Sequence, residues 1–364
     1  MKRNSISKIL NDPVYGFITL NKGILLNIVD HPFFQRLSRI KQLGLTYLVY
    51  PGAHHTRFHH AIGASHLMSQ AIQTLKQNEV AINKEEEEAV ILAILLHDIG
   101  HGPFSHALEN SFIKGVSHED ISIEFMNSLN KEFDGALDLA LEIFQDKYSK
   151  GFLHDLVSSQ LDMDRLDYLK RDSFFTGVSE GVVSNERIIK MFAVANDELV
   201  VREKGIYSIE KFIVARRLMY WQVYLHKTVL SAEFLLAKIL ERAREIYNED
   251  KKLFMVPKML YFLEKQITNE NYQDFDFLKH FSKLDDFDVF TCIKVWAESK
   301  DKVISKLSNM LINRNLLKVQ ISSKKFSSEK LEKIKLSHQK NLGITGEEIN
   351  YFVFQKEMTN NAYD

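Results

Sequence analysis

Apolar residues recur at spacings of three and four along most of this chain, which is the periodicity of helices packed against a core. Glycine and proline, which interrupt helices, number only 15 and 5 among 364 residues. The clearest helix lies in "NKEEEEAVILAILLHD", where Asn83 can cap the first turn and Glu86 completes a capping box. We expect this helix to end at Gly100. Because residues 89–96 are apolar on every side, the helix should be central and buried.

Other segments with helical periodicity are "HPFFQRLSRIKQLG", "RFHHAIGASHLMSQAIQTLKQ", "DISIEFMNSLN", "LVSSQLDMDRLDYLKRD" and the long run from Ser208 to Tyr247. The alternating segment "DELVVREKGIYS", which contains Lys204-Gly205, predicts a small β-hairpin. Beyond residue 249 the chain is more polar and less regular. We therefore predict a mostly α protein with a small hairpin, a core domain over residues 1–249, and a C-terminal α or α+β extension over residues 250–364.

The composition, with 45% hydrophobic and 26% charged residues, is typical of a soluble globular protein. A net charge of -1 gives no general attraction to nucleic acid, although the basic run "SSKKFSSEKLEKIK" leaves a local contact open. Cys292 is the only cysteine, so an internal disulfide is excluded, in keeping with a reducing compartment. The longest apolar run is too short to span a bilayer, and the N-terminus lacks a signal-peptide pattern. We expect a cytoplasmic protein that does not contact a membrane.

Three separated segments carry metal-ligand residue types: "RFHHAIG" at 57–63, "HDIGHGPFSH" at 97–106 and "LDMDRLDYLKRD" at 161–172. A histidine from the first, His97 and Asp98 from the second, and an aspartate from the third would supply two imidazoles and two carboxylates. This mixed set suits Mn, Fe, Zn or Mg and does not choose among them. Such an ion would acidify a bound water and direct it at an electrophile.

Each segment alone also has an ordinary structural interpretation. A histidine near a helix end is more often a satisfied side chain than a ligand, which applies to His59, His66 and His118. The aspartates of the third segment could form the solvated face of a charged helix, which applies to Asp164, Asp167 and Asp172. However, Asp164, Tyr168 and Asp172 are spaced by four residues, which places them in line on one face.

The order of these segments resembles the HD-domain phosphohydrolase superfamily, and within it the branch of deoxynucleoside triphosphate (dNTP) triphosphohydrolases. The resemblance rests on "NDPVYGF", "QRLSRIKQLG", "YPGAHHTRFHHAIG", "LLHDIGHGPFSHALE", "DRLDYLKRD" and "YLHKTV". It covers residues 8–235 and, more thinly, residues 314–318. It implies a helical HD fold, a divalent metal ion, and hydrolysis of a dNTP, dGTP included, to deoxynucleoside and inorganic triphosphate. The implied reaction is attack of metal-activated water on the α-phosphate.

The resemblance also implies residue roles. The implied metal ligands are His60, His97, Asp98 and Asp164, with the family spacing from Arg57 selecting His60 over His59. The implied catalytic residues are His101, His106, Glu109 and His118, where His106 protonates the leaving oxygen and Glu109 orients its ring. The implied substrate-binding residues are Gln42, Leu43, Arg57, Arg165, Tyr168, Asp172 and Arg216. Position 165 is lysine in the vertebrate member of the branch, and arginine would bind phosphate oxygens with a different geometry.

A nucleotide activator and a homo-oligomer, either a dimer or a tetramer, are further implications of the resemblance. The corresponding allosteric positions are Lys8, Asp30, Gln35, Arg314 and Lys318. Ser38 stands where an arginine reads the activator guanine in the family, so the resemblance does not extend to guanine-specific activation. An ordinary basic surface is the alternative for Arg314 and Lys318.

Two other functions remain open from the sequence. The same site could hydrolyse another nucleotide phosphoester, such as a monophosphate, an alarmone or a cyclic nucleotide. The chain could instead be a nucleotide-responsive binding protein with weak turnover, although a non-catalytic protein has no need of all four implied metal ligands.

Overall fold

The computed structural model describes residues 7–104, 113–249, 252–265, 267–268, 270, 272–273, 275–344 and 346–357. The first half of the fold consists of β1 (Ser7–Asp12), β2 (Gly16–Asn21), α1 (Ile24–Asp30), α2 (Pro32–Gln35), α3 (Arg57–Gln77), α4 (Lys84–Leu96), β3 (Ile113–Lys114), α5 (His118–Glu132), α6 (Asp138–Phe144), α7 (Gly151–Val157) and α8 (Met163–Thr176). The second half consists of α9 (Asn185–Lys190), β4 (Phe192–Ala195), β5 (Glu198–Val201), α10 (Ile206–Met219), α11 (Lys227–Asn248), α12 (Pro257–Lys265), β6 (Ile267–Thr268), α13 (Phe275–Phe281), α14 (Asp286–Trp296), α15 (Lys302–Ile312) and α16 (Ser328–Leu342). The predicted fold class, mostly α with small β elements, is confirmed.

Helix α3 is the centre of the site-bearing half and packs against both α4 and α8. The prediction for α4 is confirmed at its start, because Asn83 accepts a hydrogen bond from the Glu86 amide and the reciprocal bond completes the capping box. Its end was predicted too late: the helix stops at Leu96, and His97 is the C-cap. Residues 89 and 90 and 92–96 are buried, as the pattern of apolar residues predicted.

Three predicted helices are interrupted. In "HPFFQRLSRIKQLG" the helical part ends as a 3-10 helix at Arg39, because the backbone at Ile40 turns extended and Lys41 pairs with Thr56. Between α7 and α8, Asp162 accepts hydrogen bonds from two backbone amides and so caps a new helix. The long run from Ser208 divides into α10, a π-helical turn over Tyr220–Tyr224, and α11.

The predicted hairpin exists at a different place in its segment. Strands β4 and β5 are joined at Asn196 and Asp197, which both have positive φ, as a tight two-residue turn requires. The expected turn at Lys204-Gly205 is wrong, because these residues lie in a 3-10 helix. A second hairpin, β1 with β2, was not predicted from the sequence.

The hydrophobic core is continuous across the predicted boundary at residue 249. Arg36 links the two regions: its guanidinium is fully buried and donates to the carbonyl oxygens of Ile99 at 2.7 Å and Leu284 at 3.4 Å. Strand β3 also pairs in parallel with β6. The division into two domains remains a prediction. Within the described ranges, no helix is long and apolar enough to cross a membrane.

Candidate metal centre

Three nitrogen and oxygen atoms converge where α3, the end of α4 and the start of α8 meet. His60 Nε2 lies 3.2 Å from His97 Nε2 and 3.0 Å from Asp164 Oδ1, and the last two atoms are 3.4 Å apart. We call His60, His97 and Asp164 the three-donor cluster; its donor atoms all lie within 4.8 Å of one another. The structure therefore brings together three of the four predicted metal ligands.

The second ring nitrogen of each histidine fixes the tautomer. His97 Nδ1 lies 2.6 Å from the carbonyl oxygen of Ile94, and His60 Nδ1 lies 2.8 Å from Asp167 Oδ2. Because both oxygens are acceptors, each Nδ1 carries a proton, and each Nε2 can direct its lone pair at a metal. Metal bonds of about 2.0–2.2 Å span donor atoms spaced in this way. The cluster fits a divalent ion, and its mixed donors do not choose among Mn, Fe, Zn and Mg.

Asp12, Asp167 and Arg171 form a network of buried ion pairs behind His60, which we call the buried network. The sequence analysis did not predict it. Arg171 donates to both oxygens of Asp167, at 2.9 and 3.0 Å, and to Asp12 Oδ2 at 2.8 Å. The facing residue of α3 is Gly63, where a Cβ would lie 2.1 Å from both Arg171 Nη2 and Asp167 Oδ1. Only glycine lets the network pack this close to α3. The spacing of 164, 167 and 171 on α8 was the available sequence signal.

Electrostatic interactions shift the pKa values of the cluster residues. Burial lowers the pKa of His60, but hydrogen bonds to Asp164 and Asp167 outweigh burial and raise the pKa to about 10. Burial raises the pKa of Asp164, but the two imidazoles outweigh it and hold this pKa well below its usual range. Without an ion the cluster is thus stabilised by protons on its imidazoles. A divalent ion must displace those protons, so its affinity depends on pH.

Asp98, the fourth predicted ligand, lies beside the three-donor cluster. Its Oδ2 accepts a 2.5 Å bond from Arg57 Nη1, and its Oδ1 is 3.4 Å from His97 Nε2 and 3.3 Å from His101 Nε2. Burial raises the pKa of Asp98, but the charges of His97 and Arg57 outweigh burial and hold it well below its ordinary value. Its role as a ligand remains a prediction.

Two of the implied catalytic histidines form a stacked pair. The rings of His101 and His118 are 3.9 Å apart with an interplanar angle of 16°. Burial and then the Arg57 charge lower the pKa of His101 well below its usual value, so this ring is neutral. His106 and Glu109 lie outside the described residues.

A phenol and two guanidinium groups lie near Asp164, those of Tyr168, Arg165 and Arg216. Arg165 donates to Asp162, and Arg216 donates to Gln160 Oε1 at 2.9 Å. Both arginines act electrostatically on Tyr168, whose pKa burial raises, so its hydroxyl keeps its proton. Burial and then the Asp164 charge raise the pKa of Asp162 to about 7.

At the far end of α8, Asp172 is held by two residues to which the sequence analysis gave no role. Its Oδ1 lies 2.6 Å from His55 Nε2, and Tyr224 donates to its Oδ2 at 2.7 Å. The carbonyl oxygen of His55 in turn accepts from the Gln42 amide, and the half-buried Leu43 follows Gln42. Both His55 and Tyr224 occur in the quoted motifs, which was the available signal.

The solvated-face alternative for the aspartates of α8 is wrong at two of its three positions. The exposed fraction is 0% for Asp167 and 1% for Asp172. The Asp164 side chain is 27% exposed and faces the cluster. The charged face of α8 therefore points inward.

The predicted allosteric positions fall into two groups. Lys8 Nζ lies 2.6 Å from Asp30 Oδ1, and the Gln35 side chain donates to a backbone carbonyl oxygen at 2.7 Å. Arg314 donates to a different backbone carbonyl oxygen at 2.7 Å, and Lys318 is exposed. Among the described residues, no hydrogen bond or ion pair joins the two groups. Their regulatory role remains a prediction.

Comparison with known proteins agrees with this site. The HD domain matches residues 57–172, and the HD associated region matches residues 183–262. A solved phosphohydrolase from Bacteroides thetaiotaomicron is 53% identical, with a TM-score of 0.93 over 95% of this chain and 86% of that chain. A hypothetical protein from Aquifex aeolicus has a TM-score of 0.69 at 29% identity, over 92% of this chain and 82% of its own.

Two relatives are similar to this chain in sequence. The uncharacterized protein YwfO of Bacillus subtilis is 35% identical over 320 residues, which is 86% of this chain and 71% of YwfO. The deoxynucleoside triphosphate triphosphohydrolase SAMHD1 homolog of Dictyostelium discoideum is 33% identical over 273 residues, 68% of this chain and 53% of that protein.

The helical fold, the histidine-aspartate pair and the convergent donors define a metal-dependent phosphohydrolase of the HD class. The chain belongs to the HD-domain phosphohydrolase superfamily and is similar to its dNTP triphosphohydrolases.

Proposed function

We propose that this protein is a metal-dependent dNTP triphosphohydrolase, which converts a dNTP and water to a deoxynucleoside and inorganic triphosphate. The observation that carries the proposal is the position of the three-donor cluster beside the guanidinium groups of Arg57, Arg165 and Arg216 and the phenol of Tyr168. A divalent site flanked by several guanidinium groups suits a polyphosphate ester. The name of the Dictyostelium relative supports the same substrate class.

A bound divalent ion would supply Lewis acidity and water activation at the three-donor cluster, with Asp98 beside it. In the reaction, a water oxygen bonds to the α-phosphorus, and the bond from phosphorus to the 5' oxygen breaks. The neutral His101 ring, stacked on His118, donates a hydrogen bond to a phosphoryl oxygen on which negative charge develops. Arg57, Arg165 and Arg216 neutralise the remaining phosphates. The leaving 5' oxygen would take a proton from His106, which Glu109 would orient, and the proton that the attacking water loses would restore His106 through solvent.

The sugar site in this proposal is the Asp172 end of α8. The Asp172 carboxylate, fixed by His55 and Tyr224, is aligned to accept from a sugar hydroxyl. Tyr168 packs under the sugar near C2', with Gln42 and Leu43 on the other side. An added 2'-hydroxyl would clash there, so deoxynucleotides are selected over ribonucleotides.

Product analysis tests the proposal. The protein is incubated with each of the four dNTPs, the matching ribonucleotides, a monophosphate, an alarmone and a cyclic nucleotide, in Mn, Mg or Fe. Anion-exchange chromatography and phosphorus NMR then identify the products. Deoxynucleoside plus triphosphate supports the proposal. Pyrophosphate or orthophosphate as the first product, or turnover of another phosphoester alone, would establish a different HD phosphohydrolase.

Three variants separate the assigned roles. His97→Ala and Asp98→Ala should lose both hydrolysis and bound metal, measured by elemental analysis. His106→Ala should keep the metal and lose turnover, because only the proton donor is removed. Full turnover in His106→Ala would contradict its assignment.

A nucleotide activator and assembly into a dimer or tetramer are part of the same proposal. Adding a second, non-hydrolysed nucleotide during the dNTP assay should raise the rate if the allosteric positions bind it. Arg314→Ala should abolish this increase and leave the basal rate unchanged. An equal increase in Arg314→Ala would exclude a role for Arg314.

A further inference from the structure

The turn that carries the histidine-aspartate pair is held by a serine from another helix. We call residues 97–101 the histidine-aspartate turn. The Ser122 hydroxyl, on α5, donates to the carbonyl oxygen of His97 at 2.8 Å and accepts from the Gly100 amide at 2.9 Å. Both backbone groups lie beyond the last turn of α4, where a helix leaves backbone groups without intrahelical partners. Because Ser122 is fully buried, its hydroxyl supplies the hydrogen bonds that water cannot.

The Ser122 hydroxyl is directed away from its own helix. A serine inside a helix often donates to the carbonyl oxygen four residues earlier, which for Ser122 is that of His118. Here the donated bond goes to the histidine-aspartate turn instead. The two backbones also approach closely, because a Cβ on Gly100 would lie 2.1 Å from the His118 carbonyl oxygen and 2.4 Å from the Ser122 nitrogen. Two hydrogen bonds and a glycine contact therefore fix α5 against the turn.

The same side of α5 carries one member of the stacked histidine pair. His118 and Ser122 are four residues apart, so they lie on one face of the helix. The His118 ring stacks on His101 at 3.9 Å, and His101 Nε2 lies 3.3 Å from Asp98 Oδ1. A ring stack tolerates a range of offsets, whereas a hydrogen bond weakens steeply with distance and angle. The position of His118 relative to His97 is therefore set by Ser122 more than by the stack.

We propose that Ser122 is a positioning residue, which holds the histidine-aspartate turn and α5 at the spacing that lets a bound metal ion and the stacked histidines contact one phosphate group. Its role toward His118 rests on the proposed function, in which the stacked histidines act at the phosphate. Its role toward His97 rests only on the metal centre. Without the hydroxyl, the backbone groups of His97 and Gly100 lose their shared partner, and the His97 imidazole should shift relative to His60.

Metal affinity tests the role toward His97 without any substrate. Ser122→Ala should bind Mn at least about tenfold more weakly than the wild type, which is the lower end of the loss expected when a group that orients a metal ligand is removed. Isothermal titration calorimetry measures the affinity, and circular dichroism checks folding. Ser122→Cys has nearly the same shape and a weaker hydrogen-bonding group. It should weaken Mn binding in the same direction, and it replaces Ser122→Ala if that variant does not fold.

The matched control is Ser231→Ala, which also removes a buried serine hydroxyl from a helix. Ser231 is 2% exposed and donates to the carbonyl oxygen of Leu317 at 2.6 Å. This variant loses a buried hydrogen bond at a distance from the metal centre, so it should bind Mn as the wild type does. Mn binding by the Ser122 variants that matched the control would overturn the role toward His97.

A double-mutant cycle tests the role toward His118. Orthophosphate is titrated into the Mn-saturated wild type, Ser122→Ala, His118→Ala and the double variant. If Ser122 acts through His118, the double variant should lose no more phosphate affinity than the weaker-binding single variant, whereas independent effects would multiply. Ser231→Ala combined with His118→Ala should show no such coupling.

Two results of the cycle would overturn the role toward His118. One is a double variant whose loss equals the product of the two single losses. The other is a His118→Ala protein that binds phosphate as tightly as the wild type, because Ser122 would then have no phosphate contact to position. Neither titration uses a dNTP, so a failure of this proposal is distinguishable from a failure of the proposed function, which the product analysis decides separately.

Discussion

The three-donor cluster and the buried network meet at His60, and α8 supplies a carboxylate to each, three residues apart. Asp164 of the cluster is partly exposed and faces imidazoles, whose protons can leave. Asp167 of the network is fully buried and faces Arg171, whose pKa burial lowers but the Asp167 charge raises further. Because a guanidinium keeps its proton, the network is closed to other cations. The cluster can exchange protons for a metal ion, and the network can only hold His60 in position.

The largest effect on stability should follow from Asp167→Asn, which removes one carboxylate of the buried network. This change removes one of the two carboxylates that pair with the buried Arg171 and leaves Asp12 as its remaining partner in the network, so we expect the free energy of unfolding of the metal-free protein to fall by about 3–5 kcal/mol. Urea unfolding in a chelator measures it. The folded fraction should also bind metal about 10–100-fold more weakly, because His60 loses the acceptor that orients its ring.

The paired control is Asp164→Asn, the corresponding change in the cluster. It should abolish metal binding and lower the free energy of unfolding by less than Asp167→Asn does, because solvent reaches Asp164 and does not reach Asp167. If the two variants were equally stable, the distinction between an open cluster and a closed network would be wrong.

The sequence predicted the residues of the open cluster better than those of the closed network. His97 follows an apolar helix, and the resemblance to the HD-domain superfamily selected His60 and Asp164, which the residues alone left open, so the cluster was predicted through motifs that the family shares. Asp167, like Asp164 and Asp172, could be interpreted as part of a solvated charged face, since the pattern of α8 alone does not reveal that α3 covers it, and Arg171 was given no role. Asp12 comes from an unpredicted hairpin distant in sequence, and such tertiary pairs have no local signature.

A second substitution should disrupt the buried network by steric overlap instead of by loss of charge. Gly63→Ala places a methyl group where Arg171 and Asp167 approach α3, and both side chains are fully buried and cannot retreat. We expect a loss of about 3 kcal/mol in the free energy of unfolding, at the upper end for overpacking. Ser65→Ala on the same helix should cost less than about 1.5 kcal/mol, the value of one hydrogen bond. If Gly63→Ala were as stable as Ser65→Ala, the side chains of Arg171 and Asp167 would have to move away from α3 at little cost.

Asp172 is an intermediate case. It is buried like Asp167, but its partners, His55 and Tyr224, can both be neutral, unlike Arg171. Tyr224→Phe removes the donor to Oδ2 without changing the ring. Since this leaves a buried carboxylate oxygen unpaired, we expect a loss of about 2 kcal/mol. Tyr220→Phe, on the same π-helical turn, is the control and should change stability little. Chemical unfolding of both variants decides whether Asp172 depends on this bond.

The smallest effect should come from Asp286, a buried carboxyl group whose ion-pair partner in the described structure, the Lys41 ammonium, is too distant for a hydrogen bond. It is 2% exposed and accepts from the Lys41 amide at 3.0 Å, while the Lys41 ammonium is 3.7 Å away. Its Oδ1 has no hydrogen-bond partner among the described residues. Burial raises the pKa of Asp286 to about 6.

The folded protein therefore holds the Asp286 proton more tightly than the unfolded chain, whose pKa is about 3.9. The resulting stabilisation is fully present below pH of about 4 and is lost as the pH rises through about 6. Asp286→Asn cannot lose a proton, so its stability relative to the wild type should rise by about 1–2 kcal/mol between pH 4.5 and pH 7.5. Urea unfolding at both pH values in a chelator measures this difference. A difference that did not change with pH would mean that Asp286 stays ionised, and that the Lys41 ammonium closes this site as Arg171 closes the buried network.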